Sequence, residues 1–355
     1  MTTTPVTLLT GFLGSGKTTQ LNALLKSGAL KDAALIINEF GDIGIDHLLV
    51  ETSDEGIVEL SDGCLCCTIR GDLVDTLTRL LNRARDGEPI SRIVIETTGL
   101  ADPAPILHAV MGHPVLSDLL RLDGVITMVD AVNGEATLDA HEEAVKQIAV
   151  ADRVVLSKHD LAGDTSTIEG RIARLNPTAK LIKAPAQPKY IFDCGLYDPA
   201  TRSADVQRWL NDEALKHGHH HHHDVNRHDA RIRAFTLRSD KAVDAATLAT
   251  FIDLLRSAHG PNLLRVKGIV RIAEDPERPV VLHGVQEIFH PPASLPNWPD
   301  EDRTTRLVMI TRDLAPDFVE KLFDALVGNT KADTPDRAAL DENPLAVPGY
   351  SGNFD

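Results

Sequence analysis

Short apolar, β-branched runs alternate with amphipathic stretches through the first half of the chain. The runs lie at residues 6–10, 34–37, 92–95, 125–129, 153–156 and 180–183, each with the length of a buried strand. Most are separated by hydrophobic positions at helical spacing; in 72–85, Leu73, Leu77, Leu80, Leu81 and Ala84 share one face. Strands alternating with helices predict a mostly parallel sheet covered on both sides. Residues 1–190 therefore read as a doubly wound α/β domain whose active edge is the carboxyl ends of its strands. Residues 191–230 form a polar connector too hydrophilic to be core. The pattern then changes to a strand from Arg231, a helix at about 243–257, strands at 263–272, 280–289 and 306–311, and a helix at 316–326. These predict a smaller α+β domain over 231–327, followed by an irregular tail, 328–355, with Pro335, Pro344 and Pro348 among acidic residues.

The first strand runs into Gly11-Phe12-Leu13-Gly14-Ser15-Gly16-Lys17-Thr18, which fits the phosphate-loop pattern G-x-x-x-x-G-K-[ST] at every fixed position. Leu21, Leu24 and Leu25 mark the helix that follows, and Gly28 can end it. Gly11, Gly14, Ser15 and Gly16 let consecutive backbone N–H groups point at polyphosphate oxygens at a helix N-terminus. Lys17 adds charge on the outer phosphates, the Thr18 hydroxyl is placed to ligate magnesium, and Thr19 reaches the innermost phosphate. Glu96-Thr97-Thr98-Gly99 ends the strand at 92–95, where an acid holds magnesium and the Gly99 amide senses the outermost phosphate. Asp130 competes for the magnesium role but lacks a following glycine, and otherwise serves as a cap or turn residue. Ser157-Lys158-His159-Asp160 matches the guanine pattern N-K-x-D except at its first position. The Asp160 carboxylate would accept from the guanine ring N–H and exocyclic amine, with the stem of Lys158 covering the base.

Gly63-Cys64-Leu65-Cys66-Cys67 places three thiols within four residues, a density suited to zinc or another borderline cation if the backbone turns there. Glu39, in the switch-like segment Asn38-Glu39-Phe40-Gly41-Asp42, is the leading fourth ligand, ahead of Asp42, His47 and His113. Either Glu39 or Asp42 also suits the positioning of a water. His219, His220, His221, His222 and His223, inside the connector, bind zinc, nickel, cobalt or copper with little geometric demand and so suit concentrating metal.

Composition narrows the class further. The 355 residues, 43% hydrophobic, suffice for two domains, and no apolar run approaches the length that spans a bilayer. A net charge of −16 argues against nucleic-acid binding and fits attraction of cations. The N-terminal residues show no export signal, and crowded cysteines suit a reducing compartment, so a cytoplasmic protein is expected. Trp209 and Trp298 read as packing residues and Cys194 as a small buried hydrophobe.

With these motifs in order, together with Leu100-Ala101-Asp102-Pro103 after Gly99 and Val129-Asp130-Ala131, the chain resembles the CobW-like P-loop GTPases from Pro5 to about Leu326. The resemblance implies a GTPase that uses GTP and Mg²⁺ and binds Zn²⁺ or Co²⁺ at Cys64, Cys66 and Cys67. It also implies delivery of that metal to a client metalloprotein. Family members often carry a histidine-rich stretch before a smaller carboxy-terminal domain, as this chain does. The departure is Ser157, where the guanine motif has asparagine. Two other readings compete: a histidine-rich zinc buffer or nucleotide-dependent sensor without delivery, and an ATP-dependent insertion factor.

Overall fold

The computed structural model describes residues 3–37, 57–59, 68–194, 231–290 and 292–328. Its first unit is a seven-stranded sheet of β1 (Thr4–Gly11), β2 (Ala33–Ile37), β3 (Ile57–Glu59), β4 (Arg92–Glu96), β5 (Leu120–Asp130), β6 (Arg153–Ser157) and β7 (Lys180–Lys183). The strand order is β3-β2-β4-β1-β5-β6-β7 and every pairing is parallel. Parallel strands need crossovers, and α1 (Lys17–Lys26), α2 (Thr68–Arg85), α3 (Ala104–Gly112), α4 (Gly134–Ala140), α5 (Glu142–Ala149) and α6 (Ser166–Leu175) supply them. Leu73, Leu77 and Leu80 of α2 join Ile106 and Val110 of α3 against Val6, Leu8, Ile93 and Ile95. In a second cluster Leu21 and Leu24 of α1 meet Leu9, Val94 and Ile126, so both faces are sealed by apolar helix stripes. A short α7 (Pro188–Ile191) closes the unit.

The second unit is an antiparallel sheet of β8 (Ile232–Ser239), β9 (Leu263–Val270), β10 (Val280–Val285), β11 (Ile288–Phe289) and β13 (Thr305–Arg312), ordered β11-β10-β9-β13-β8, with β12 (Ala293–Ser294) on β10. The expected strand at 280–289 is instead a hairpin: the backbone reverses at Gln286, whose φ is +52°, and Val285 pairs with Ile288. Both arms are apolar, so hydropathy alone could not show the reversal. Helices α8 (Ala245–His259) and α9 (Pro316–Leu326) pack against the sheet, with Phe251 and Phe323 meeting edge-on at 5.3 Å. α8 is capped by Asp244, whose side chain accepts from the Thr247 N–H, and that bond marks where the helix starts.

The units are packed together. Ile232, Leu264 and Ile310 join Val145, Ile148, Val154 and Leu156 in one core, with α5 against β9 and α6 against β8. Asp152, just before β6, is buried there; its Oδ2 accepts from the Val125 N–H at 2.8 Å and its Oδ1 accepts from Arg265 at 2.7 Å and from Lys267. The ring N–H of half-buried Trp298 donates to the Pro276 carbonyl, and the Cys194 thiol is buried 3.0 Å from the Ile191 carbonyl oxygen. Trp209 lies outside the described residues. Among the described residues no helix is long and apolar enough to cross a membrane.

Candidate functional site

The phosphate loop leaves β1 at the carboxyl edge of the sheet and enters α1 at once. Gly14 and Gly16 hold φ of +71° and +92°, left-handed values that a side chain would strain. These turns place the loop's N–H groups ahead of α1, whose first turn carries no acidic residue to compete with an anion. Lys17 folds back over the loop, its Nζ donating to the carbonyls of Gly11 at 2.9 Å and Phe12 at 3.4 Å. Thr19, one position past Thr18, is exposed.

Strand β4 runs beside β1, with Glu96 in register with Leu9. The Thr18 hydroxyl therefore donates to Glu96 Oε1 at 3.3 Å across 78 positions of sequence. A hydroxyl and a nearly buried carboxylate converging beside a phosphate cradle form the hard-oxygen donor set that magnesium takes. Gly99 lies against the loop; a Cβ there would sit 2.5 Å from the Leu13 backbone nitrogen. Asp130 is turned to other work: Oδ1 accepts from the N–H groups of Val132 and Asn133, and Oδ2 receives Lys158 Nζ at 2.7 Å. Burial pushes the Asp130 carboxyl up, but bonds from Lys158, Asn133 and Val132 outweigh it and hold it below the usual carboxylate range.

The serine in the guanine motif acquires a physical explanation. Ser157 Oγ donates to the Ser15 carbonyl at 2.7 Å, tying the end of β6 to the phosphate loop. Lys158 follows with φ +52°, and Asp160 is exposed at the edge of the site. His159 Nε2 lies 2.9 Å from the Ala184 carbonyl, in the loop after β7. Gln20, buried on α1, grips the same loop twice: its Nε2 donates to the Ala186 carbonyl at 2.9 Å and its Oε1 accepts from the Ala186 N–H at 2.8 Å. Sequence reasoning missed Gln20. Its only signal is a polar residue next to the apolar stripe of Leu21 and Leu24, which does not reveal a partner 166 positions away.

Glu39, Asp42, His47, Cys64, Cys66, Cys67 and His219, His220, His221, His222 and His223 lie outside the described residues. His113 is described, and its Nδ1 accepts from the N–H groups of Val115 and Leu116 in a turn. Among the described residues no three His, Cys, Asp or Glu side chains form a group that could hold a metal.

A phosphate loop, a Thr–Glu pair opposite it and a tied guanine motif on an all-parallel sheet are the geometry of a nucleotide hydrolase. Residues 5–183 match the family model of the CobW/HypB/UreG nucleotide-binding domain, and 232–327 match that of the cobalamin synthesis protein CobW carboxy-terminal domain. The chain belongs to the CobW/HypB/UreG family. It is a P-loop GTPase. It is 32% identical over 322 residues to the zinc chaperone YjiA of Escherichia coli, across 90% of this chain and 98% of that one. It is 29% identical over 322 residues to the zinc-regulated GTPase metalloprotein activator 1 of Dictyostelium discoideum, across 77% of this chain and 64% of that one. The crystal structure of zinc-bound YjiA GTPase superposes with a TM-score of 0.64 at 26% identity, covering 92% of this chain and 99% of that one.

One consequence concerns the base. Asp160→Asn, which replaces paired acceptors by one acceptor and one donor, is expected to weaken GTP by about 1–3 kcal/mol and relax preference over other nucleotides. Competition binding of GTP, GDP and ATP measures this, and equal competition by ATP in the unaltered protein would overturn the guanine role of Asp160.

Proposed function

We propose that this GTPase is a zinc metallochaperone: it loads a divalent transition metal at Cys64, Cys66 and Cys67, with Glu39 as fourth ligand, and releases it to a client metalloprotein as GTP is hydrolysed. The observation that carries the reading is a register. Ile37, the last described residue before the segment holding Glu39 and Asp42, is in register with Glu96 on one side. On its other side it is in register with Glu59, the last described residue before the cysteine segment. Both segments thus leave the sheet at the edge where Thr18 meets Glu96. Nucleotide state then has a short route to metal geometry. The names of the relatives support zinc as the cargo.

In this reading Lys17 and the loop's N–H groups stabilise the charge that spreads as the γ-phosphoryl group leaves, while Glu39 or Asp42 positions the attacking water. Thr18 and Glu96 would hold magnesium, which when bound supplies neutralising charge to the phosphate oxygens. The Gly99 N–H reads the outermost phosphate, and the loss of that phosphate frees the segment it orders. His219, His220, His221, His222 and His223 collect metal independently of nucleotide.

The test is a zinc or cobalt titration against a competing chelator with GTP, with GDP and without nucleotide. The Cys64→Ser/Cys66→Ser/Cys67→Ser variant is expected to lose the tightest site, whereas deletion of residues 217–228 lowers the number of ions and preserves it. Thiolates must lose protons and be held in a turn, which an ordered switch supplies; flexible imidazoles gain nothing from it. A tightest site that survives the cysteine changes, or that has one affinity in all three nucleotide states, replaces delivery by the buffer reading.

A further inference from the structure

Helix α5 is held from three directions. His141, which precedes it, stacks on Phe12 of the phosphate loop with ring centroids 4.4 Å apart. Toward the loop after β4, Gln147 Nε2 donates to the carbonyls of Gly99 at 3.2 Å and Ala101 at 3.0 Å, and Lys146 Nζ lies 3.6 Å from Asp102. Toward the carboxy-terminal unit, Glu142 accepts from Arg312 at 2.7 Å and from Arg231 at 3.4 Å. Just past the helix, Asp152 is gripped by Arg265 and Lys267 of β9. A cavity of about 240 Å³, lined by residues that include Phe12, Ser15, Thr127, Asn133 and Ile148, separates the phosphate loop from α4 and α5. Beside it the ring stack and the Gln147 side-chain bonds join α5 to the active edge, and Thr127 Oγ1 of β5 donates to the Gln147 carbonyl at 2.7 Å.

We propose that Gln147 is a positioning residue for GTP hydrolysis: it fixes the backbone of residues 99–101 so that the Gly99 N–H meets the outermost phosphate, and α5 makes this dependent on how the carboxy-terminal unit is seated. The proposal rests on the reading of Gly99 given above. Gln147 is 1% exposed, and its two donors are spent on two carbonyls two residues apart, which restrains the peptide planes between them. Glu142 and Asp152 then bind the two ends of the same short segment to the other unit. A shift in that unit tilts α5, and the Gly99 loop is the part of the active edge bonded to its middle. This gives the two units a physical connection with a defined element in between.

The full-length Gln147→Met variant keeps side-chain length and removes both donors. Turnover of GTP is expected to fall at least about tenfold, GDP affinity to stay within about twofold, and the preference for a non-hydrolysable GTP analogue over GDP to shrink. Arg312→Gln, at a partly buried contact between the two units, is expected to lower turnover about two- to fivefold, and to add nothing in the double variant. Hydrogen exchange at the amides of residues 99–101 is expected to quicken in both single variants. Turnover, analogue preference and exchange unchanged in Gln147→Met, or an Arg312→Gln effect that is absent or additive, would overturn the proposal. Exchange at the Gly99 amide of the unaltered protein separates the two ideas. If the non-hydrolysable GTP analogue slows it more than GDP does while Gln147→Met keeps the analogue preference, Gly99 remains the sensor and the role of Gln147 falls; if the analogue and GDP slow it equally, the Gly99 reading falls and takes the proposal with it.

Discussion

Lys17→Ala is expected to lower GTP turnover by at least about two orders of magnitude while leaving the circular dichroism spectrum unchanged. Removing one preorganised donor to transition-state charge costs roughly that much in rate. The fold should not suffer, because the Lys17 ammonium bonds to carbonyls of its own loop, at Gly11 and Phe12, and the core beneath is built from Leu9, Leu21 and Leu24. Those carbonyls sit at the open edge, where water can replace the lost donor. A steady-state phosphate-release assay and a far-ultraviolet spectrum on the same sample measure both halves. Turnover within about twofold of the unaltered protein would remove Lys17 from the catalytic set.

The largest effect on stability is expected at Asp152. Arg265, Lys267 and His283 are all buried around it, and the carboxylate receives both cations. Burial pulls the Lys267 ammonium down to about 8, with the Asp152 charge opposing that loss. Asp152→Ala leaves two cations without their anion and is expected to destabilise by about 3–5 kcal/mol, the usual cost of breaking a buried pair from one side. Replacing Asp152, Arg265 and Lys267 together by Asn, Met and Met is expected to recover most of it, since asparagine keeps an acceptor for the Val125 N–H and no desolvated charge remains. Urea unfolding followed by tryptophan fluorescence reads both, and equal midpoints for Asp152→Ala and the unaltered protein would refute the assignment. The pH dependence has a defined sign. Burial, with Arg265 and Lys267 nearby, holds the His283 imidazole well below its usual range, so the folded state binds fewer protons than the unfolded one below about pH 6.5. Stability is therefore expected to fall as pH drops from 7 to 5, and His283→Leu to flatten that slope. Asp152, held below the usual carboxylate range by Arg265 and Lys267 against the opposing effect of burial, adds a loss of the same sign only below about pH 4.

Local pattern carried most of the elements, because a buried parallel strand is a continuous apolar run and a helix must show one apolar stripe. Helix α9 at Pro316–Leu326 and strand β7 at Lys180–Lys183 stand where the sequence predicts them. The phosphate loop was equally legible, since a backbone that wraps an anion requires glycine at fixed spacing and leaves a motif. What lay beyond the sequence is long-range bonding by polar side chains, to backbone groups or to one another. Gln20 with Ala186, Gln147 with Gly99 and Asp152 with Arg265 join positions 166, 48 and 113 residues apart. In a linear reading each is an ordinary polar residue, and Arg265 and Lys267 alternate with apolar neighbours as a solvent face would. Only the docking of the second unit onto α5 and β6 buries that face. Burial turns the same charges from exposed groups of little energetic weight into a cluster whose members depend on one another. The sequence by itself therefore determined the nucleotide chemistry and the two folding units, whose signals are local. Tertiary structure alone decided what Ser157 does in place of asparagine and how the two units are tied, because a hydrogen bond across the fold leaves no periodicity in the chain.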